Sequence, residues 1–299
     1  MKERPLLARA YVIVQAPSHL GLRADGVEAL PEALLSAGLA ERVGARVGRR
    51  LPTPSFDPAI DPETGMLNPH RLRDHASLLA DAFGSVLDDS SFPIVLGGDC
   101  SILLGSTLAL RRRGRYGLLF LDGHADFYQP EAEPSGEAAS MELALVTGRG
   151  PELVTNLEGR RPLVRDEDVV VLGFRDAAQA AADGSQPLPR TIHAIDLASV
   201  REHGAEPAAR LALAHLGPRD GPDGFLIHLD VDVLDDAIMP AVDYRLPGGL
   251  SREELTTVLR LVVASDRAVG LEITIFNPSL DPDGSIAQTL VELLADATS

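Results

Sequence analysis

The chain has 299 residues, 45% of them hydrophobic, enough for a large buried core, and a formal net charge of -17 from 44 acidic and 27 basic side chains. That charge repels a nucleic-acid backbone or an anionic membrane surface, so neither is the expected partner, and it marks an acidic, soluble surface. A single cysteine, Cys100, excludes an intrachain disulfide and suits a reducing cytoplasm. In chain order, the N-terminal stretch MKERPLLARAYVIVQAP lacks the long apolar core and small-residue cleavage site of a signal peptide. No later run reaches the ~20 apolar residues of a membrane span. Short apolar runs predict strands over Ala10–Val14, Ile94–Leu96, Gly117–Asp122, Asp168–Gly173, Ile192–Ile195, Phe225–Asp230 and Val269–Thr274. These runs are continuous rather than alternating, the pattern of strands buried on both faces. Helical segments lie between them, for example Pro69–Val86, Ser101–Arg113 and Ser251–Ala264. The last opens with Ser251 followed three residues later by Glu254, a capping box. Glu131–Gly136 and Ala180–Pro189 are polar or rich in small residues and read as loops, too short to link domains. There is no internal repeat. Strands alternating with helices predict one α/β domain over residues 1–299, a three-layer α/β/α arrangement around a mainly parallel sheet.

In such a sheet, ligands bind beyond the carboxyl ends of the strands. Metal-binding residue types fall there in three segments. Asp122, His124 and Asp126 follow an apolar strand at i, i+2 and i+4, spacing that turns extended-backbone side chains to one side. Asp230 and Asp232 end a second buried strand, where two acids need a cation between them. His228 shares their parity but lies deeper and reads as a hydrogen-bonded core histidine. In the third segment a Gly97-Gly98 turn leads from a strand to Asp99-Cys100-Ser101 at a helix start. Cys100 is inert filling there if no metal is near and an anionic thiolate ligand if one is. Together Cys100, Asp122, His124, Asp126, Asp230 and Asp232 suit two metals better than one. Mixed carboxylate and imidazole donors favour a divalent ion such as Mn²⁺, and two close metals can lower the pKa of a shared water.

Gly-Gly-Asp-X-Ser, then Asp-X-His-X-Asp, then Asp-X-Asp-X-X-Asp, in this order, resembles the arginase, agmatinase and formiminoglutamase superfamily. Pro240-Ala241 with Pro247-Gly248-Gly249-Leu250-Ser251, and Phe276-Asn277-Pro278, resemble further segments of that family. The likeness runs from about Leu96 to Asp281. It implies a pair of Mn²⁺ ions bridged by hydroxide and hydrolysis of a guanidino or other C–N carbon to urea or a urea-like product. Carried over by position, Cys100, Asp122, Asp126 and Asp230 would hold one metal, and Asp122, His124, Asp230 and Asp232 the other. Asp122 and Asp230 would bridge, and Asp126 would also orient the attacking hydroxide. The family assembles into several kinds of oligomer, so the resemblance allows a homo-oligomer.

Four positions depart from that pattern. Cys100 stands where the family usually has histidine, which weakens the preference for Mn²⁺ over Zn²⁺, Fe²⁺ or Co²⁺ and introduces sensitivity to oxidation. Ile275 occupies the position of a glutamate that grips the substrate guanidinium, while Glu272, three residues earlier, faces the opposite side of the strand. Ala139 replaces a pocket histidine. Ala178 replaces an acid that contacts the substrate's α-amino group. The changes fall on substrate contacts more than on metal ligands, so the expected enzyme is active but not a standard arginase. The Cys100 and Ile275 pattern looks like the branch that hydrolyses N-hydroxyarginine, whose guanidine is less basic. Ser135, Glu137 and Asp243 are the candidate substrate contacts, the two acids as replacement carboxylates. Alternatives are an agmatinase or guanidinobutyrase, a catalytically altered binding protein that keeps the fold, and a deacetylase-like single-metal hydrolase.

Overall fold

The structure, a computed structural model, describes residues 9–23, 25–217 and 221–298. Among them a single eight-stranded sheet is built from β1 (Tyr11–Gln15), β2 (Arg46–Arg50), β3 (Phe92–Leu96), β4 (Gly117–Leu121), β5 (Val169–Leu172), β6 (His193–Ile195), β7 (Phe225–Asp230) and β8 (Ala268–Thr274). Every pairing is parallel, in the order β2-β1-β3-β8-β7-β4-β5-β6. The fully apolar runs FPIVL of β3, GLLFL of β4 and VVVL of β5 are buried throughout. Parallel strands are joined by crossovers that must cover both faces, so neither side chain of an alternating pair meets water.

Helices α1 (Leu30–Ser36) and α2 (Leu39–Val43) open the chain's helical set. Next come α3 (Pro69–Asp88), α4 (Leu103–Arg111), α5 (Glu142–Val146) and α6 (Glu152–Thr155), followed by α7 (Ala177–Asp183). The set ends with α8 (Leu197–His203), α9 (Ala205–Leu216), α10 (Arg252–Val263) and α11 (Ser285–Thr298). Two apolar cores lie on opposite sheet faces. Ile13, Ile94, Leu119, Leu121 and Ile227 pack with α1, α2 and α8 to α11, whereas Val12, Val95, Leu118, Phe120 and Leu226 pack with α3 to α6. The expected three-layer α/β/α architecture is what the chain forms. No described helix is long and apolar enough to cross a membrane.

The seven predicted strands are found with their ends moved by at most two residues, and the Ser251 capping box forms, Ser251 Oγ accepting from Glu254 N at 3.2 Å and Glu254 Oε2 accepting from Ser251 N at 2.8 Å. Three expectations need correction. β2 was not foreseen: its sequence RVGRR is largely exposed and basic, and charge blunts an edge strand against further pairing. Ala180–Pro189 is helical in its first part, because α7 runs to Asp183 before Gly184 stops it at φ 82°. The helix expected from Ser101 begins as a 3₁₀ turn over Cys100–Ile102.

The topology fixes where ligands can meet. β3 and β4 are consecutive in sequence, yet β8 and β7 lie between them. The segments leaving these four central strands therefore converge over one stretch of the sheet's carboxyl edge. Register then aligns their side chains. Phe120, His228 and Glu272 are neighbours across β4, β7 and β8, and Asp230 pairs with Thr274 one pleat nearer the edge.

Candidate metal centre

β3 leads into Gly97-Gly98, and this turn has no room for a side chain. A Cβ on Gly98 would lie 1.7 Å from the Ser18 carbonyl oxygen. Asp99 caps the next turn, Oδ1 accepting from Ser101 N at 2.8 Å and Oδ2 from Ser18 Oγ at 3.1 Å. The turn carries Cys100 over the strand ends, where its thiol lies 2.8 Å from Asp230 Oδ2 and 3.2 Å from Thr274 Oγ1.

The acids at the ends of β4 and β7 are each aimed by the backbone. Asp122 Oδ1 accepts from His124 N at 2.7 Å, Asp230 Oδ1 from Asp232 N at 2.7 Å, and Asp232 Oδ1 from Gly123 N at 3.0 Å. One oxygen of each is fixed and the other turns inward. Asp232 Oδ2 meets His124 Nδ1 at 2.9 Å, while the fully buried Asp122 Oδ2 has no partner. Asp126 is held in the left-handed region at φ 44°, a conformation aspartate tolerates better than most residues.

Burial, then repulsion from Asp126 and Asp232, pushes the Asp122 carboxyl well above the usual carboxylate range. Burial and the neighbouring acids do the same to Asp126 and Asp230, and to the Cys100 thiol, with Asp230 the largest neighbour. Burial alone would lower the His124 pKa, but Asp232 and Asp122 outweigh it and raise it. Asp232 gains most from that pairing: burial pushes it up, yet His124 holds it below its ordinary value. One imidazole serving four carboxylates leaves the cluster short of positive charge, which a metal ion supplies. Two overlapping groups present donor atoms all within 4.8 Å of one another: Asp122, His124 and Asp232, and Cys100, Asp122, Glu142 and His228. They share Asp122, as two adjacent ions with a bridging carboxylate require, so the donors present fit a metal pair.

The second group contains residues that sequence reasoning did not assign to the site. Glu142 begins α5 and is fully buried, and no donor reaches either of its carboxylate oxygens. Its neighbour is the Asp126 carboxyl, and burial pushes its pKa well up. The available signal was one acid in the apolar run Met141-Glu142-Leu143-Ala144-Leu145. The reading of His228 as a satisfied core histidine is corrected. Its Nδ1 bonds Glu272 Oε1 at 2.7 Å, but Nε2 is buried without a partner. Its parity with Asp230, extended one pleat down the strand, was the signal. Glu272 does turn away from Ile275, into this bond and into a 2.5 Å bond from Ser106 Oγ.

Above the cluster lies a cavity of ≈ 290 Å³ lined by His124, Asp126, Asp230 and Asp232 at one end and by Glu133, Glu137, Asp183, Tyr244 and Ile275 around its walls. Ala139 also lines it. Among the described residues its walls hold several acids and no lysine or arginine, so its lining is negative in charge. Glu137 is buried and braced: it accepts from Arg23 N at 2.6 Å, Ser135 Oγ at 3.1 Å and Tyr244 Oη at 2.5 Å. Ser135 lines the cavity beside it. Asp243 does not line it; both its oxygens accept from Asn277 Nδ2 at 3.1 Å. Ala178 is exposed on α7. Ile275 holds φ 71°, which costs a β-branched residue roughly 1–3 kcal/mol.

Comparison with known proteins agrees with this geometry. The arginase family profile matches residues 9–298. An arginase from Brevibacillus brevis is 30% identical over 291 residues, 95% of each chain. An arginase from Staphylococcus aureus (strain COL) is 28% identical over 294 residues, 96% of each. The crystal structure of arginase from Bacillus caldovelox superposes with a TM-score of 0.86 at 26% identity, covering 97% of this chain and 98% of that one. With the whole fold and nearly the whole length matched, this chain belongs to the arginase family.

Proposed function

We propose that the chain is a binuclear metal-dependent hydrolase that cleaves a C–N bond of a guanidino compound, with N-hydroxyguanidines as its preferred class. The observation that carries this reading is that His124, Asp126, Asp230 and Asp232 line an acid-walled cavity together with Ile275, while Cys100 and Asp122 fall in the overlapping donor groups beside them. Cys100, Asp122, Asp126 and Asp230 would hold one ion and Asp122, His124, Asp230 and Asp232 the other, with Asp122 and Asp230 shared between them. When bound, such a pair, Mn²⁺ in the first instance, supplies Lewis acidity and the countercharge these acids lack.

The chain's own groups supply the rest. Asp126, at the cavity floor, accepts the proton of the attacking water and holds it close to the leaving nitrogen. Glu137, rigid in its three bonds, takes a cationic end of the substrate, and Ser135 adds a hydroxyl. Ile275 gives the reacting guanidine an apolar wall. A fully protonated guanidinium would lose hydration there without gaining a counter-ion, whereas a less basic N-hydroxyguanidine enters neutral.

The test is turnover of N-hydroxyarginine against arginine, agmatine and guanidinobutyrate by the Mn²⁺-loaded protein, with the urea-type product quantified. Preference for N-hydroxyarginine is expected. Equal or faster turnover of any of the unhydroxylated compounds would sink the substrate class while leaving the hydrolase reading standing.

A further inference from the structure

The family pattern puts a histidine where this chain has Cys100, and the structure offers a replacement imidazole from a different element. We infer that His228 and Glu142 are further ligands of the ion held by Cys100, joining Cys100 and Asp122 in one donor group at that site. The inference rests on the metal-centre reading above and adds two ligands that the motifs do not contain.

The sheet places His228 directly below the acids. It lies two residues before Asp230 on β7, on the same face, and is flanked in register by Phe120 and Glu272. Its ring stacks on Phe120 at 4.7 Å between centroids with 10° between planes. Glu272 fixes the rotation, and Ser106 from α4 fixes Glu272. A carboxylate can only accept, so Nδ1 carries the proton and Nε2 presents its lone pair. That nitrogen is fully buried and without a partner, and it is the ring atom left free to join the donor group with Cys100, Asp122 and Glu142. A carboxylate orienting one imidazole nitrogen while the other faces a cation is the usual support of a metal-bound histidine. Glu142 completes the set from the α5 side: its carboxyl is fully buried and faces the Asp126 carboxyl, a second acid, so the pair lacks the countercharge that a metal ion would supply. A thiolate and an imidazole alongside the carboxylates form a set suited to Zn²⁺ or Co²⁺ as well as Mn²⁺.

The test uses the full chain stripped of metal and titrated with Co²⁺, reading ion uptake and the thiolate-to-cobalt absorption band. His228→Asn keeps a donor near the Nδ1 position for Glu272 but removes Nε2, and Glu142→Gln keeps the shape and removes the charge. Each is expected to weaken the sulfur-bearing Co²⁺ by more than the roughly 10–100-fold that a supporting residue costs, with the Co²⁺ at His124 and Asp232 retained. Wild-type affinity and an unchanged band in both variants would overturn the inference and leave the two-metal reading intact. No Co²⁺ uptake by the wild type would overturn both. Should either variant fail to fold, X-ray absorption on Co²⁺-loaded His124→Asn protein replaces it: one sulfur and one imidazole on the ion are expected, and sulfur without imidazole overturns the proposal.

Discussion

Ile275 is the side chain on which the proposed substrate preference turns. It is buried, holds a positive φ that β-branched residues avoid, and donates its backbone N–H to Gly98 O at 2.8 Å. The strain ties β8 to the glycine turn before Cys100 and turns an apolar side chain toward the cavity. Restoring a carboxylate there would give a guanidinium the partner it lacks. A charge-assisted hydrogen bond contributes about 2 kcal/mol, which is roughly thirtyfold in relative rate. Ile275→Glu is therefore expected to raise the ratio of arginine to N-hydroxyarginine turnover by about that factor. An unchanged ratio in steady-state assays of the two substrates would mean that Ile275 does not set the preference. The substitution was legible from sequence because it sits in a motif. The bracing of Glu137 by Tyr244 was not, since the two residues are 107 apart in the chain and only the folded loops bring them together.

Among the elements, the strands were legible where both faces are buried and hidden where they are not. β3, β4 and β5 announce themselves as uninterrupted apolar runs, and β7 is broken only by His228 before its terminal Asp230. β2 carries three arginines and no periodic apolar face, so only its pairing to β1 defines it. Most of the proposed ligands were readable because strand parity and a strand end are both sequence properties. Glu142 was not, because its burial depends on α5 packing against the same sheet face as Phe120. Arg175 is a second element-level feature of this kind. From the loop after β5 its guanidinium donates to the carbonyls of Asp232 at 2.9 Å, Leu234 at 3.2 Å and Leu246 at 2.7 Å. It thereby clamps the segment that leaves β7, including the proposed ligand Asp232, onto the segment before α10. Arg175→Met leaves these carbonyls without their donor, at about 1–3 kcal/mol for each that water cannot reach. Thermal unfolding of the metal-free variant is expected at lower temperature than wild type, and calorimetric titration is expected to show weaker metal binding. A variant with wild-type values in both would show that the loop is held by other contacts.

For the molecule as a whole, the site is a concentrated part of a general excess of negative charge, -17 across the chain. Burial and mutual repulsion raise the pKa values of Asp122, Asp126, Asp230 and Glu142 in the folded protein. A carboxyl whose folded pKa lies above its unfolded value, about 4, stabilises the fold fully below that unfolded value. The contribution is lost as pH rises through the raised folded pKa. The metal-free protein therefore loses stability as pH climbs above that unfolded value. On the proposed reading metal reverses the sign at the site, because it would bind the deprotonated carboxylates and thiolate with an affinity that grows as protons leave. At a concentration 1,000 times the dissociation constant, a bound ion contributes about 4 kcal/mol, roughly 10 °C in unfolding temperature for a chain of this size. Unfolding temperatures measured across that pH range, with a chelator and with saturating Mn²⁺, are therefore expected to diverge. The metal-free values should fall and the gap between the two should widen toward alkaline pH. Repulsion among the remaining surface acids acts on both forms alike and drops out of the difference. A gap that stays constant or narrows with rising pH would mean that these acids are not the groups that exchange protons for metal.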